Sequence, residues 1–258
     1  MRPDVRLFSD RVDLATKILH LQDADVICLQ ESWPEARAII SSKLKMHLFV
    51  LNDISGCSIL SKFPIISSQE ISMPHVGTQG NAVLVSIKSS SGRIWNVISA
   101  HLAWGGHAEG HRRLQAISID RAASIAQEKN FGSVTVLAGD LNCTPNSSTI
   151  RYLSGLEPLS DNTSTLWIDS WSYCRDATAN GFTVKPVNYL AASTAKQVGI
   201  IDPIQLPDRR IDYIFVKDWL YGRPGSPIMS ETFGSEFSPE FASDHDGVVV
   251  SLWDPPVV

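Results

Sequence analysis

Short apolar segments, separated by Gly, Ser, Pro or charged residues, recur along this chain. Apolar runs of roughly four to eight residues between turn residues are typical of buried strands. They predict strands at residues 25–30, 58–61, 82–87, 94–99, 134–138, 211–216 and 247–253. Residues 145–200 are less regular, and there is no obvious linker, repeat or low-complexity segment.

Two longer segments have helical spacing instead. In residues 11–22 and 110–129, apolar side chains recur about every three to four positions, as on one face of a helix. Ser9 or Asp10 is the predicted N-cap of the first helix. With strands near both ends and a helix between central strands, the pattern predicts a single α/β domain over residues 1–258, folded as a sandwich.

Composition narrows the classes of protein. With 43% hydrophobic and 19% charged residues, the chain can bury a sizeable core, and its formal net charge is −5. No run of Lys and Arg is present, which weakens a role in gripping long nucleic acid but leaves a local basic groove open. No apolar run is long enough to cross a bilayer, and the start lacks the apolar core of a secretory signal. The four scattered cysteines predict reduced thiols in a cytoplasmic protein.

Polar residues that can do chemistry lie at the ends of five predicted strands. They are Glu31, His101, Asp140 with Asn142, Asp212, and Asp244 with His245. Each has a simpler explanation alone: a solvated glutamate, a hydrogen-bonded histidine, a turn, or a salt bridge from Asp212 to Arg209 or Arg210. Together they indicate a site, because sheets gather strand ends along one edge, where ligands of α/β proteins commonly bind.

The segment 134–145 (VTVLAGDLNCTP) shows both interpretations most clearly. Side chains two residues apart project to the same face of a strand, so Asp140 and Asn142 would point together if the strand continues that far. One offers an acceptor carboxylate and the other an amide that both donates and accepts. Gly, Asp, Asn and Pro are also ordinary turn residues, which favours a turn when this segment is taken alone.

The chemistry that such a cluster supports is phosphoryl transfer assisted by a hard cation. Mg²⁺ prefers oxygen ligands and keeps several waters, so one or two carboxylates suffice to hold it. Histidine serves as a phosphate donor or proton shuttle, above all when a carboxylate orients its other nitrogen. Zinc hydrolysis fits less well, since the chain has no HExxH motif and no tight Cys/His cluster.

Five short motifs in this order resemble the endonuclease/exonuclease/phosphatase superfamily. They are LQE (29–31), SAHL (99–102), GDLN (139–142), RRIDYIFV (209–216) and SDHDGVVV (243–250). GCSILSKFPI (56–65) and the pair Arg112 and Gln115 are also typical of it. The group includes pancreatic deoxyribonuclease, apurinic endonucleases, neutral sphingomyelinases and inositol polyphosphate phosphatases. The resemblance implies a deoxyribonuclease I-like sandwich of two mixed β-sheets flanked by helices, with the site at one edge.

The resemblance also implies roles for the residues of these motifs. Glu31 would be the principal metal-binding carboxylate, and Asp244 would bind the metal directly or through water. Asp140 and Asn142 would align or activate the attacking water and hold the phosphate. Asp212 would orient His245. His101 would contact the scissile phosphate or help the leaving group. The implied cofactor is Mg²⁺, with Mn²⁺ as an alternative.

Two departures from the family pattern stand out. Members normally open with a strand that carries an Asn near the metal, whereas about ten residues precede the first predicted helix here and none resembles that strand. The first strand is therefore predicted to be missing or atypical. Some nucleases also pair the histidine that corresponds to His101 with a glutamate from the middle strands, and Gln79 or Asn81 stands in that region instead.

Substrate and partners remain open among several classes. We predict Trp104 and Arg112 as substrate-binding residues, whereas for Trp33 a pocket wall and plain packing are equally good interpretations. Solvated loop positions are the simpler explanation for His107 and His111. The leading hypothesis is a monomeric phosphodiesterase or phosphatase with no membrane span that acts on a small phosphate ester. The alternatives are an endo- or exonuclease, for which nucleic acid is the partner, and a catalytically silent binding scaffold of the same fold.

Overall fold

The structure, a computed structural model, describes residues 5–50, 56–74, 80–175, 178–197, 199, 206–217 and 222–257. In chain order its elements are α1 (Val5–Gln22), β1 (Val26–Leu29), α2 (Pro34–Leu44), β2 (His47–Val50), β3 (Ser58–Ser61), β4 (Ile65–Glu70), β5 (Asn81–Lys88), β6 (Ile94–His101), α3 (Glu109–Lys129), β7 (Val134–Asp140), α4 (Ser148–Leu153), β8 (Trp167–Asp169), α5 (Ser170–Cys174), α6 (Tyr189–Gln197), β9 (Asp212–Lys217), β10 (Pro227–Phe233) and β11 (Gly247–Leu252). Short 3₁₀ turns lie at Gly106–Ala108 and Ser235–Phe237.

A six-stranded mixed sheet with the order β4-β5-β6-β7-β9-β8 forms the centre of the fold. β6 and β7 run parallel and are joined by α3, while the other neighbours are antiparallel. Strands β5, β6 and β7 are buried on both faces, which explains why their sequences read as continuous apolar runs. The predicted strands and the predicted helix at 110–129 are confirmed within one or two residues at most ends.

Three apolar cores separate four layers. One face of the six-stranded sheet packs on α3 and α4, and the other on the strand set β1-β3-β2 together with Leu252 of β11. A third core lies between these short strands and the helices α1 and α2. The predicted sandwich of two sheets flanked by helices is therefore confirmed, although its second layer consists of a three-stranded and a two-stranded sheet.

The predicted N-cap of the first helix is wrong. Helix α1 already begins at Val5, so Ser9 and Asp10 lie inside it. The apolar face extends back to Phe8, which packs against the same core as Val12, and this packing carries the helix past the two polar residues.

Among the described strands, the strand that leads to Glu31 has a neighbour on one side only. β1 pairs with β3 and β11 pairs with β10, and no strand of the described ranges pairs with their other edges. Both strands line one cavity of about 1500 Å³ that also reaches the strand ends of the six-stranded sheet. Residues 1–4 lie outside the described residues, so the atypical first strand and the single-domain organisation stay predictions.

A buried ion pair ties helix α3 to the far edge of the central sheet. Oδ1 of Asp120 accepts hydrogen bonds from Thr165 Oγ1 (2.6 Å), Trp167 Nε1 (2.9 Å) and Lys217 Nζ (2.6 Å). The Lys217 side chain is only 4% exposed. Removing the carboxylate would leave these three donors poorly satisfied in a site with little access to water.

We expect Asp120→Ala to lower the free energy of unfolding by about 3–5 kcal/mol, as for other buried pairs that lose one partner. Urea unfolding measures this difference. A matched control is Asp13→Ala, because Asp13 lies at the same 2.6 Å from Lys43 but both side chains are more than half exposed. That exposed pair should contribute less than about 1 kcal/mol. An Asp120 effect as small as the control would contradict the stabilising role.

Candidate active site

Three adjacent strands of the central sheet end in one row of ionisable residues. His101 of β6 is the register partner of Asp140 of β7, which is in turn the partner of Asp212 of β9. Gly139 permits this alignment, since a Cβ there would lie 1.9 Å from the carbonyl oxygen of Ala100. The glycine of the GDLN motif therefore allows β6, which carries His101, to lie beside β7, which carries Asp140.

The last motif adds His245 to this row. Its Nδ1 lies 3.0 Å from Oδ2 of Asp212, as expected if Asp212 orients the imidazole. Ligand atoms of Asp140, Asp212 and His245 all lie within 4.8 Å of one another. These three residues come from three different motifs, of which the nearest pair is 33 residues apart in sequence. They converge on a space that could hold one metal ion or one phosphoryl group.

Asn142 reaches the site by a turn and not by continuation of the strand. β7 ends at Asp140, and Asn142 has a left-handed backbone (φ 51°), which Asn tolerates better than most residues. Its backbone N–H donates to Asp140 Oδ1 (2.8 Å), and its Nδ2 donates to the carbonyl of Leu102 (3.0 Å). The turn interpretation of GDLN is therefore confirmed, and the turn folds the amide back to Asp140. The role of both residues in a site stays a prediction.

Glu31 meets the row through His101. Nε2 of His101 lies 3.7 Å from Glu31 Oε1 and 3.6 Å from Asp140 Oδ2. The Glu31 side chain is 76% exposed, and its backbone is left-handed (φ 50°), held where Ser32 N–H donates to the carbonyl of Gly56. Such a conformation in a residue other than Gly is common at functional sites. The carboxylate near His101 thus comes from the LQE motif. Of the two middle-strand candidates, Asn81 is the register partner of His101 on β5, and Gln79 lies outside the described ranges.

The electrostatics of the row favour a cation. Burial, followed by the charge of the Asp212 carboxylate, raises the pKa of Asp140 to about 8. Burial opposes protonation of His245, but the carboxylates of Asp212, Asp140 and Asp244 together raise its pKa to about 10. Burial also lowers the pKa of His101, against the effect of Glu31. Carboxylates that repel one another in a poorly solvated site are the donor set that a divalent cation stabilises, so these residues fit a metal.

Asp244 and Asp246 flank His245 but face different partners. Oδ2 of Asp244 accepts a hydrogen bond from Thr194 Oγ1 of α6 (3.0 Å), and Asp244 lines the same cavity as Glu31. Asp246 is buried and bound to Lys185 Nζ (2.6 Å). The contacts of Thr194 and Lys185 could not be predicted, because both residues lie in the irregular region 145–200, which has no clear periodicity.

Arg112 is used inside the protein. Its guanidinium is buried and donates to the carbonyls of Ala103 (2.9 Å) and Gly105 (2.7 Å) and to Glu109 Oε2 (3.0 Å). These bonds enclose the loop that presents Trp104, whose side chain is 52% exposed beside the cavity. Substrate contact by Trp104 or Arg112 stays a prediction, and the bonds of Arg112 show how it can act through the loop.

The other aromatic and histidine candidates lie at the surface. Trp33 is half exposed and its ring lies 6.1 Å from that of Phe8, so it combines packing with an open face. His107 and His111 are exposed. None of the four cysteines forms a disulfide. In the described part of the chain, no helix combines the length and apolar character needed to span a membrane.

A model of the Endonuclease/Exonuclease/phosphatase family matches residues 2–245. The chain belongs to that family. Its enzymes are metal-dependent phosphoester hydrolases, and the acidic and histidine cluster described above is a possible metal site of this family member. None of the curated proteins matches the chain.

Solved structures of the family have the same fold. A TDP2 from D. rerio complexed with a single-strand DNA product is 18% identical, with a TM-score of 0.71 over 97% of this chain and 94% of that chain. A truncated TDP2 from Caenorhabditis elegans is 17% identical, with a TM-score of 0.71 over 97% and 93%. A family protein from Bacteroides vulgatus is 16% identical, with a TM-score of 0.70 over 95% and 91%. At these identities the similarity establishes the fold.

Proposed function

We propose that this family member uses Mg²⁺ to hydrolyse a phosphodiester or phosphomonoester at the row formed by His101, Asp140 and Asp212, with His245. The observation that carries this proposal is the convergence of Asp140, Asp212 and His245, whose ligand atoms lie within 4.8 Å of one another. Phosphoryl transfer needs charge neutralisation, a positioned nucleophile and assistance to the leaving oxygen. The cluster supplies carboxylates that can bind a cation and an imidazole that can donate to a phosphate oxygen.

Each residue of the row has a proposed part. Asp212 accepts from Nδ1 of His245 and so fixes the imidazole, which leaves Nε2 available to a phosphate oxygen. Asp140 and Asn142 align the attacking water, since the turn at Asn142 holds the amide 3.4 Å from Asp140 Oδ2. His101 contacts the scissile phosphate or assists the leaving oxygen.

Glu31 is the proposed metal-binding carboxylate, with Asp244 bound directly or through water. When bound, the metal supplies positive charge that polarises the phosphoryl oxygens. The carboxylate of Asp140, linked to Glu31 through His101, is a further oxygen donor nearby. Mn²⁺ is the alternative metal, because it accepts the same oxygen ligands.

We propose a small phosphate ester as the substrate. The loops at 101–110 and 142–149 carry no Lys or Arg, so they suit a compact ligand held by hydrogen bonds and stacking. Single-stranded nucleic acid is the second candidate, because a structural neighbour, the D. rerio TDP2, was solved with a single-strand DNA product. A monomer is the proposed oligomeric state.

The test is a panel of substrates assayed with Mg²⁺, Mn²⁺ or EDTA. We expect turnover of bis-(p-nitrophenyl) phosphate that EDTA abolishes and that exceeds nicking of a plasmid or cleavage of a single-stranded oligonucleotide. His245→Ala is the blank for each substrate. Faster cleavage of DNA than of every small ester, lost in the His245 variant, would favour the nucleic-acid candidate. No metal-dependent turnover of any member of the panel would contradict the proposed function and favour a binding scaffold.

A further inference from the structure

Arg209 lies on the segment that leads into the active-site row. It is bridged to Val184 and precedes Asp212 by three residues. Thr183, next to Val184, connects this segment to the site twice: its Oγ1 accepts from the backbone N–H of Asp212, and its carbonyl accepts from that of Asp246. The backbone contacts of Val184 and Thr183 therefore hold Arg209 close to the segments that carry Asp212 and Asp246.

Arg209 is also one of few basic residues beside the cavity, and its side chain lacks a partner among the described residues. Among the described residues that line the cavity, the only Lys or Arg residues are Arg112 and Arg209. Arg112 is occupied by Glu109 and two carbonyls. The Arg209 side chain has no hydrogen bond or ion pair with any residue that the structure describes, and its Nε is buried without a partner. A buried charged donor without a partner is costly, and binding of an anion would remove that cost.

The neighbouring arginine, Arg210, differs from Arg209 because its side chain has partners within the protein. Arg210 pairs with Asp169 Oδ2 at 2.7 Å and stacks on the ring of Tyr213 at 4.7 Å. The two arginines of the RRIDYIFV segment thus point to different surroundings, one closed within the protein and one bordering the cavity. A salt bridge from either arginine to Asp212, the simplest expectation from sequence, is not among the contacts of the described residues.

We propose that Arg209 is a specificity-determining residue that binds a second anionic group of the substrate, a phosphate beside the phosphoester that is cut. This inference rests on the proposed function. Arg209 makes no ion pair with Asp140, Asp212 or Asp244, so its guanidinium is not in direct contact with the carboxylates proposed to surround the reacting phosphoryl group. A planar guanidinium can bind two phosphate oxygens at once. The Nε donor of Arg209, which is buried with no partner among the described residues, favours this use.

The test compares two substrates that differ by one phosphate. They are the p-nitrophenyl ester of thymidine 5′-phosphate and the same ester with an added 3′-phosphate. For Arg209→Gln we expect KM of the two-phosphate ester to rise by about 10- to 100-fold, the loss typical of a charge-assisted hydrogen bond. Its kcat and both constants of the one-phosphate ester should change little. Arg209→Lys should retain part of the preference.

A matched control is Arg121→Gln, which removes the same charge from an exposed position on α3. It should leave the constants of both esters unchanged. Normal turnover of the one-phosphate ester by Arg209→Gln shows that the variant is folded. An equal effect of this variant on both esters, or an effect on neither, would overturn the inference while the proposed function stands.

A binding measurement separates the two proposals further. Isothermal titration in EDTA compares thymidine 3′,5′-bisphosphate with thymidine 5′-monophosphate and needs no turnover. We expect the wild-type protein to bind the bisphosphate more tightly by about 10-fold or more, and Arg209→Gln to lose this preference. If neither ester is hydrolysed, the proposed function fails and this titration alone decides the role of Arg209. Equal preferences in wild type and variant would overturn it.

Discussion

Replacing Asp140 with Asn, or His245 with Ala, is expected to lower kcat by on the order of 100-fold or more, the loss typical for one preorganised group. The two residues share Asp212 as a neighbour and lie within one 4.8 Å cluster. Groups that act on one transition state give non-additive losses, because removing one already disables the other. The double variant should therefore be little worse than the worse single variant.

The measurement is a double-mutant cycle on kcat with bis-(p-nitrophenyl) phosphate at saturating metal. The controls are His20→Ala and Asp161→Asn, which make the same chemical changes at exposed positions outside the cavity and should leave kcat unchanged. Urea unfolding of each variant separates loss of chemistry from loss of the fold. Losses that multiply fully would show that Asp140 and His245 act independently, against a shared site.

Glu31→Gln is expected to reduce activity strongly at low Mg²⁺ and to be partly rescued by high Mg²⁺ or Mn²⁺. The substitution keeps the shape of the side chain and removes the charge that a hard cation prefers. Because the carboxylate is 76% exposed, the change should leave the fold intact. The expected loss is on the order of 100-fold at metal concentrations that saturate the wild-type enzyme.

Activity as a function of metal concentration is the measurement for Glu31. Glu35→Gln is its matched control, because Glu35 is an exposed carboxylate four residues away in the first turn of α2. That variant should have the metal dependence of the wild-type enzyme. If Glu31→Gln also keeps it, with unchanged activity, Glu31 does not bind the metal.

The row formed by His101, Asp140 and Asp212 could be predicted from sequence, because each of these residues lies at the end of an apolar strand segment. His101, Asp140 and Asp212 each close or open an apolar run, and parallel and antiparallel neighbours place them in register. The contact of Glu31 with His101 could not be predicted in this way. It joins strands of two different sheets, and their relative position depends on how the two layers pack.

Other elements left no periodic signal. β4 has mostly exposed side chains at the edge of the sheet, so its Ser- and Gln-containing sequence does not alternate as a half-buried strand would. The bonds of Arg112 to two carbonyls, and the lack of a partner for Arg209 Nε among the described residues, depend on loop conformation, which local sequence does not determine. The sequence predicted substrate contact for Arg112 and only a salt bridge for Arg209, and neither prediction could anticipate the internal bonds of Arg112.

The edges of β1 and β11 with which no described strand pairs have a consequence for the behaviour of concentrated solutions. An unpaired strand edge offers backbone donors and acceptors to any other extended chain, and natural proteins limit such pairing with charge or cover. Within the described ranges neither edge is covered by a strand, so we expect mutual repulsion between molecules to help keep them apart. That repulsion comes from a net charge of −5 at pH 7 and vanishes near the sequence pI of 5.8. We therefore expect colloidal stability to depend on pH and to be lowest near pH 5.8.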